Sequence, residues 1–253
     1  MTMLILKPSG GRQIGRTVRV RHMVERAAIT FAPPSCHRLE GNLKTHKEAV
    51  VGKVVVSEFI TLDGVIEAPG GGEGFEHEGW SFRFNRGEDG DKFKFDELMA
   101  ADAQLLGSVT YAGFARAWPS MEAGEFGVKM NAMPKYVVSR TLTAEQADWN
   151  NSTVIGQDLA SEVAQLKQQL AGDILVAGSA KLVQSLAAHE LVDEYRLMLF
   201  PIVLGSGKRL FADDAAPATL RLLDCTPVGP DGVLILTYKP ADAAGGPSPV
   251  GAV

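Results

Sequence analysis

Short apolar segments alternate with amphipathic segments through residues 53–240, and this alternation restricts the fold more than any other feature of the chain. The run Val54–Thr61 is apolar and β-branched, which is typical of a strand buried on both faces. Six further runs have the length and composition of strands. They are Ala103–Leu106, Tyr136–Ser139, Ile174–Ala177, Glu194–Leu199, Leu220–Val228 and Val233–Tyr238.

Helical periodicity appears between these strands. In Leu159–Leu170 the apolar residues recur at spacings of three and four, and Asp158 precedes them as a suitable N-cap. Pro230-Asp231-Gly232 separates the last two strands and predicts a hairpin. We therefore expect an α/β fold with a mixed, mostly parallel sheet flanked by helices. The other predicted helices are Lys92–Ala101, Val109–Ala117 and Ala180–His189, and the stretch from Glu67 to Gly90 is predicted to be a loop.

The two ends of the chain differ in composition from this central domain. Residues 1–53 carry ten Lys and Arg but three Asp and Glu, and no apolar period runs through them. We interpret residues 1–52 as a disordered or over-long extension, with a targeting or nucleic-acid-binding arm as the alternative. Residues 241–253 are rich in Ala, Gly and Pro and are predicted to be a flexible tail.

Charge and composition exclude several classes of function for the central domain. Residues 54–253 carry 15 Lys and Arg against 27 Asp and Glu, a balance that does not favour nucleic acid as a partner. The longest apolar run, Leu197–Leu204, is too short to span a membrane. The two cysteines, Cys36 and Cys225, form no CxxC pair, which predicts no metal site and indicates a reducing, cytoplasmic environment.

Three predicted strands are followed by residues that suit phosphate. Gly107 precedes Ser108 and Thr110, and Gly178 precedes Ser179, in each case at the start of a helix where backbone amides attract anions. The third strand ends at Ser139-Arg140-Thr141, where the guanidinium can bind a phosphate through two hydrogen bonds. Each motif alone is more often an ordinary turn, but three on one sheet favour a nucleotide. None is a GxGxxG fingerprint.

Five segments resemble one family in the same order. Val56–Ile66, with its Thr-Leu-Asp-Gly core, is similar to the first strand and active-site loop of dihydrofolate reductases, and closer still to the reductase domain of bacterial riboflavin biosynthesis (the RibD C-terminal domain). The segment Leu105–Tyr111 is similar to that family's LLGRxTY motif. Leu175–Ser179, Leu191–Tyr195 and Pro201–Phe211 resemble its later signatures.

The resemblance implies a homodimeric, NADP-dependent reductase with a dihydrofolate reductase-like fold, with NAD as the alternative cofactor. Its substrate would be a small pterin-like or pyrimidine-like molecule. The backbone around Phe59 and Ile66 would hold the nicotinamide carboxamide, while Gly107, Thr110, Gly178 and Ser179 would contact the diphosphate. Ser139, Arg140 and Thr141 would meet the adenosine ribose and its 2′-phosphate. Ser108 stands where the family usually has an arginine, so the preference for NADP depends mainly on Arg140.

The catalytic carboxylate is harder to place. The resemblance implies that Asp63 shapes a mobile loop beside the hydride, and that an acid near Asp91 supports protonation of the substrate. Asp89, Asp96 and Glu97 lie close to Asp91, and a solvated helix face is the simpler interpretation for each of these acids. Two other functions stay open, a nucleotide-binding sensor without turnover and an assembly protein that pairs through an exposed edge within Leu191–Phe211.

Overall fold

A single eight-stranded sheet organises residues 51–121 and 123–241, the part of the chain that this computed structural model describes. The strand order is β4-β3-β2-β5-β1-β6-β8-β7. The strands are β1 (Lys53–Thr61), β2 (Ala101–Gly107), β3 (Lys135–Val138), β4 (Ser152–Ile155), β5 (Asp173–Val176), β6 (Glu194–Phe200), β7 (Leu220–Val228) and β8 (Val233–Pro240).

The sheet is parallel from β4 to β6 and antiparallel at its C-terminal end, where β8 pairs with both β6 and β7. This confirms the predicted mixed sheet and its terminal hairpin. The prediction of an exposed sheet edge within Leu191–Phe211 is wrong, because β6 lies inside the sheet between β1 and β8. The edge strand at this end is β7, which leaves Leu222 and Leu223 about half exposed.

Five helices cover the two faces of the sheet. They are α1 (Gly87–Ala100), α2 (Ser108–Ala117), α3 (Gly124–Ala132), α4 (Leu159–Gln169) and α5 (Ala180–Ala188). The Asp158 side chain accepts a hydrogen bond from the Ser161 amide at 3.3 Å, so the predicted N-cap of α4 is confirmed. Helix α1 begins inside the stretch predicted as loop. The sequence did not reveal α3, whose apolar pattern is broken by Gly124 and Gly127, or β4, which begins with the polar Ser152 and Thr153.

Two apolar clusters pack against opposite faces of the sheet. Val55 and Phe59 of β1 belong to the cluster that contains Trp80, Phe114, Trp118 and Phe126. Val54, Val56 and Ile60 belong to the cluster beneath α4 and α5. The alternation along β1 therefore buries both of its faces, as predicted from its apolar sequence.

The predictions for residues 1–50 and 242–253 lie outside the described residues. Among the described residues, no helix is both long enough and apolar enough to cross a bilayer.

Candidate cofactor and substrate site

The three predicted phosphate segments and the predicted active-site loop follow four strands that are neighbours in the sheet. The order β3-β2-β5-β1 places Ser139 after β3, Gly107 at the end of β2, Gly178 after β5 and Asp63 after β1. These strands are parallel, so their carboxyl ends share one edge. Segments separated by long stretches of sequence therefore converge along this edge, which is where ligands of open α/β sheets bind.

Two glycines let the central segments approach closely. The Gly107 amide donates a hydrogen bond to the Gly178 carbonyl at 3.3 Å. A Cβ on Gly107 would collide with the Ser179 hydroxyl, and a Cβ on Gly178 would lie 2.8 Å from Thr110 Oγ1. Gly178 also has a φ of 95°, which disfavours other residues. The two junctions therefore form one compact backbone surface.

This surface has the donors that a diphosphate needs. Helices α2 and α5 begin beside it, at Ser108 and Ala180, and neither has a side-chain N-cap within the described residues. The amides of a first helical turn have no partner inside the helix, and the positive end of the helix dipole favours an anion. The hydroxyls of Thr110 and Ser179 add two further donors. The residues present thus fit the diphosphate of a dinucleotide.

Strand β1 is open on the side that faces this surface. Its pairing with β5 ends at Val56, whereas its pairing with β6 continues to Thr61. Backbone groups of β1 beyond Val56 thus have no β5 partner on this side, which leaves them available for a ligand amide. The binding role of Phe59 stays a prediction. At Ile66 the amide already donates to the Lys208 carbonyl at 2.9 Å, which leaves its carbonyl for that role.

The end of β3 forms a tight turn that presents Arg140 to solvent. The Ser139 hydroxyl accepts hydrogen bonds from the amides of Thr141 and Leu142, at 3.2 and 2.9 Å. Arg140 is exposed and makes no salt bridge with any described residue. Its guanidinium is therefore available to an incoming phosphate.

Asp63 holds a neighbouring loop in place. Its carboxylate accepts hydrogen bonds from the amides of Gly205 at 2.8 Å and Leu204 at 3.3 Å, and from the Thr61 hydroxyl at 2.6 Å. Partial burial raises the pKa of Asp63, but these hydrogen bonds outweigh it and hold the pKa below its usual value. The carboxylate thus stabilises the turn around Gly205.

A cleft of about 440 Å³ opens beside the same edge. Three parts of the chain line it: α2, the loop at Gly72 and the turn at Lys208. Ser108 and Thr110 belong to both the cleft and the phosphate surface. The volume lies within the range of small-molecule sites. The remaining lining residues are Glu73, Val109, Ala112, Gly113 and Arg116.

Comparison with known proteins is consistent with this geometry. The profile of the RibD C-terminal domain matches residues 52–234. The chain belongs to this family. Two similar proteins of Bacillus subtilis (strain 168) are described as uncharacterized. YyaP is 30% identical over 190 residues, covering 74% of this chain and 94% of YyaP, and YwjB is 27% identical over 172 residues, covering 67% and 88%.

Solved structures confirm the fold of this RibD C-terminal domain. A protein provisionally described as a riboflavin biosynthesis protein, from Shewanella sp. PV-4, has a TM-score of 0.60 at 19% identity, covering 75% of this chain and 99% of that chain. RibD of Acinetobacter baumannii has a TM-score of 0.53 at 16% identity, covering 76% and 58%. The predicted family is confirmed by the profile match, and the predicted mixed, mostly parallel sheet with its C-terminal hairpin is confirmed by the strand order.

The acids of α1 divide into exposed and buried groups. Asp89 and Asp96 are exposed, as expected for a solvated face. Asp91 is partly exposed and forms a 2.6 Å ion pair with Arg86. Glu97 departs from the expectation, because it is buried at 6% exposure. The catalytic roles of Asp63 and Asp91 stay predictions.

Glu97 belongs to a buried polar group that sequence reasoning missed. Its carboxylate accepts a hydrogen bond from the Ser57 hydroxyl at 2.7 Å and pairs with the Lys94 ammonium at 2.5 Å. Lys94 Nζ also donates to Ser57 Oγ and lies 5.7 Å from the centre of the Phe59 ring. This group ties α1 to β1. The three-residue spacing from Lys94 to Glu97 is visible in the sequence. The sequence does not show that these two side chains point into the core.

Glu58 is the second residue that the sequence interpretation passed over. It lies in β1 with 2% of its surface exposed. Burial raises its pKa to about 8, against the attraction of Lys94 and a hydrogen bond from the Gly178 backbone. A signal was present, since a carboxylate inside the apolar run Val54–Thr61 is expensive to bury.

Proposed function

We propose that the protein is an NADPH-dependent reductase of a small heterocyclic substrate with a pterin-like or pyrimidine-like ring. The observation that supports this most directly is the convergence of four strand ends on one edge, with a compact surface of helix amides at its centre. This arrangement matches the parts of a dinucleotide in order along the sheet. NADH is the alternative cofactor, because Arg140 is the main group available to select a 2′-phosphate.

In this proposal each part of the site binds one part of the cofactor. The first-turn amides of α2 and α5, with Thr110 and Ser179, hold the diphosphate. Arg140 binds the 2′-phosphate, and the open side of β1 at Phe59 orients the carboxamide. When bound, NADPH supplies the hydride, and the protein supplies position and electrostatics.

The substrate would occupy the cleft beside α2. Ser108 and Thr110 lie on both the cleft and the diphosphate surface, so a ring bound there would lie next to the cofactor. Arg116 and Lys208 give the cleft two cationic groups, although Lys208 is paired with Glu67. Such a lining suits a planar substrate with acceptor oxygens or an acidic group.

The first test is a calorimetric titration of the full chain with NADPH and NADH. Calorimetry is preferred to tryptophan fluorescence. The three tryptophans, Trp80, Trp118 and Trp149, are all buried, so a bound ligand is not expected to quench their fluorescence by direct contact. We expect saturable binding of NADPH that weakens by about tenfold or more in Arg140→Ala, since a charge-assisted phosphate contact is lost.

A matched control is Arg221→Ala, which removes an exposed arginine from the edge strand β7. It should leave both affinities unchanged. Absence of binding of either cofactor at millimolar concentration contradicts the proposal. Binding without oxidation of NADPH by any pterin or pyrimidine in a substrate panel would indicate the sensor.

A further inference from the structure

One wall of the cleft beside α2 is a single face of that helix. Val109, Ala112, Gly113 and Arg116 all line the cleft, and they occupy positions i, i+3, i+4 and i+7, which are neighbours on a helix surface. The middle of this wall is flat and apolar, because Ala112 and Gly113 have little or no side chain. A planar ring can therefore lie against it with one polar edge toward Arg116.

Lys208 lines the same cleft from the turn after β6, and Glu67 holds it there. The Glu67 carboxylate accepts a hydrogen bond from the Lys208 amide at 2.9 Å and also pairs with the Lys208 ammonium group. The amide of the preceding residue, Ile66, donates to the Lys208 carbonyl at 2.9 Å. The Glu67 side chain is 15% exposed and that of Lys208 is 55% exposed. The more buried acid thus fixes the more exposed lysine.

Glu67 also cancels the charge of this lysine. Burial raises the pKa of Glu67, but its contacts with Lys208 outweigh burial and hold the pKa below its usual value, so the carboxylate is ionised at neutral pH. Arg116 forms no salt bridge with any described residue, which makes it the uncompensated cation of the cleft lining. The lining also includes the acidic side chain of Glu73.

This distribution of charge disfavours a phosphate group on the substrate. A phosphate monoester carries a charge of about −1.5 to −2 at neutral pH and is bound by several cationic or amide donors. The first-turn amides of α2 are assigned to the cofactor diphosphate, so a second phosphate in the cleft would have Arg116 as its main partner. A ring carbonyl oxygen needs one donor, which Arg116 can supply.

We propose that the substrate is an uncharged pterin-like or pyrimidine-like ring without a phosphate group, and that Glu67 is the positioning residue that excludes phosphorylated forms. This inference rests on the proposed function and narrows its substrate class. The ring lies on the α2 wall with a carbonyl oxygen toward Arg116. Glu67 acts through Lys208, because a paired ammonium group does not attract a phosphate as an unpaired one would.

The experiment is a calorimetric titration of the full chain saturated with NADP⁺, so that the diphosphate surface is occupied. The probes are uridine with uridine monophosphate, and neopterin with neopterin monophosphate. The members of each pair differ only in the phosphate group. In the wild-type chain we expect the uncharged member of at least one pair to bind, and to bind at least as tightly as its phosphorylated partner.

Glu67→Gln keeps an oxygen acceptor for the Lys208 amide but removes the negative charge. It should raise the affinity for the phosphorylated probe about fivefold relative to the uncharged probe, because the ammonium group of Lys208 is then uncompensated. Adding Lys208→Met to this variant should abolish the gain, which a merely structural role of Glu67 would not explain. Glu88→Gln, at an exposed position in the first turn of α1, is the control and should keep the wild-type preference.

The outcomes separate this inference from the proposed function. Tenfold tighter binding of a phosphorylated probe to the wild-type chain overturns the inference, and so does an unchanged preference in Glu67→Gln. Binding of NADP⁺ without binding of any of the four probes also overturns it and leaves the cofactor site standing. Absence of NADP⁺ and NADPH binding contradicts the proposed function, and this inference falls with it.

Discussion

The backbone amide of Gly107 donates a hydrogen bond to the backbone carbonyl of Gly178 at 3.3 Å, and this contact joins the ends of β2 and β5. The two residues belong to different strand–helix units, with α3, β3, β4 and α4 between them in the chain. Neither position tolerates a side chain, because each lies against a hydroxyl of the other unit. The phosphate surface is therefore a tertiary feature made from two local motifs.

Gly107→Ala should weaken NADPH binding by about tenfold or more, because the new Cβ would crowd Ser179 and push the junctions apart. Gly107 has a φ of −71°, so the substitution adds no backbone strain and tests crowding alone. Ser179→Gly in the same chain removes the crowded side chain and should recover part of the affinity. An unchanged dissociation constant in the single variant, measured by calorimetry, would contradict this account.

Asp63→Ala should lower the free energy of unfolding at pH 7 by about 1–3 kcal/mol, because three donors lose their acceptor. The pKa of Asp63 is lowered in the folded state, so its contribution is present above the unfolded pKa and is lost as pH falls through the folded value. Urea denaturation at neutral and acid pH should show the variant and wild type converging at acid pH. Asp63→Asn, which keeps one acceptor oxygen, should lie between them.

Lys135→Met should destabilise the fold by about 2–4 kcal/mol, because a fully buried side chain loses the donor that it supplies to three backbone carbonyls. The Lys135 ammonium donates to the carbonyls of Asn131, Met133 and Asn150, each at 2.9 Å, and lies 4.2 Å from the Trp149 ring centre. Burial lowers its pKa to about 8. Lys92→Met is the control, since the Lys92–Asp96 pair is exposed and should contribute less than about 1 kcal/mol. Equal urea midpoints for the two variants would contradict the prediction.

Glu58→Gln should remove a pH dependence of stability from the free protein. The folded pKa of Glu58 is raised to about 8 from an ordinary value of 4.5, so the wild type loses stability as pH rises between these values. Each pH unit in that window corresponds to at most about 1.4 kcal/mol. Urea denaturation between about pH 5 and pH 8 should therefore show a steeper decline in the wild type than in the variant. Parallel curves would show that Glu58 is ionised in the folded chain.

Local sequence determined the elements of this fold and their order. The apolar run of β1, the three- and four-residue periodicity of α4 with its Asp158 cap, and the Pro230-Asp231-Gly232 turn each depend on neighbours in the chain. The segments Gly107–Thr110 and Gly178–Ser179 were recognised as phosphate-binding candidates for the same reason. Helix α3 escaped recognition because Gly124 and Gly127 interrupt its apolar pattern, and strand β4 because its first half, Ser152 and Thr153, is polar.

Tertiary structure alone decided which of these residues meet. The insertion of β5 between β2 and β1 brings Gly178 to Gly107, and no spacing in the sequence encodes that insertion. Burial likewise separated Glu97, packed with Lys94 and Ser57, from the exposed Asp96 beside it in the chain. The sequence alone does not distinguish a buried carboxylate from an exposed one. The charge of the carboxylate depends on the solvent exposure and the dipoles that the complete fold supplies.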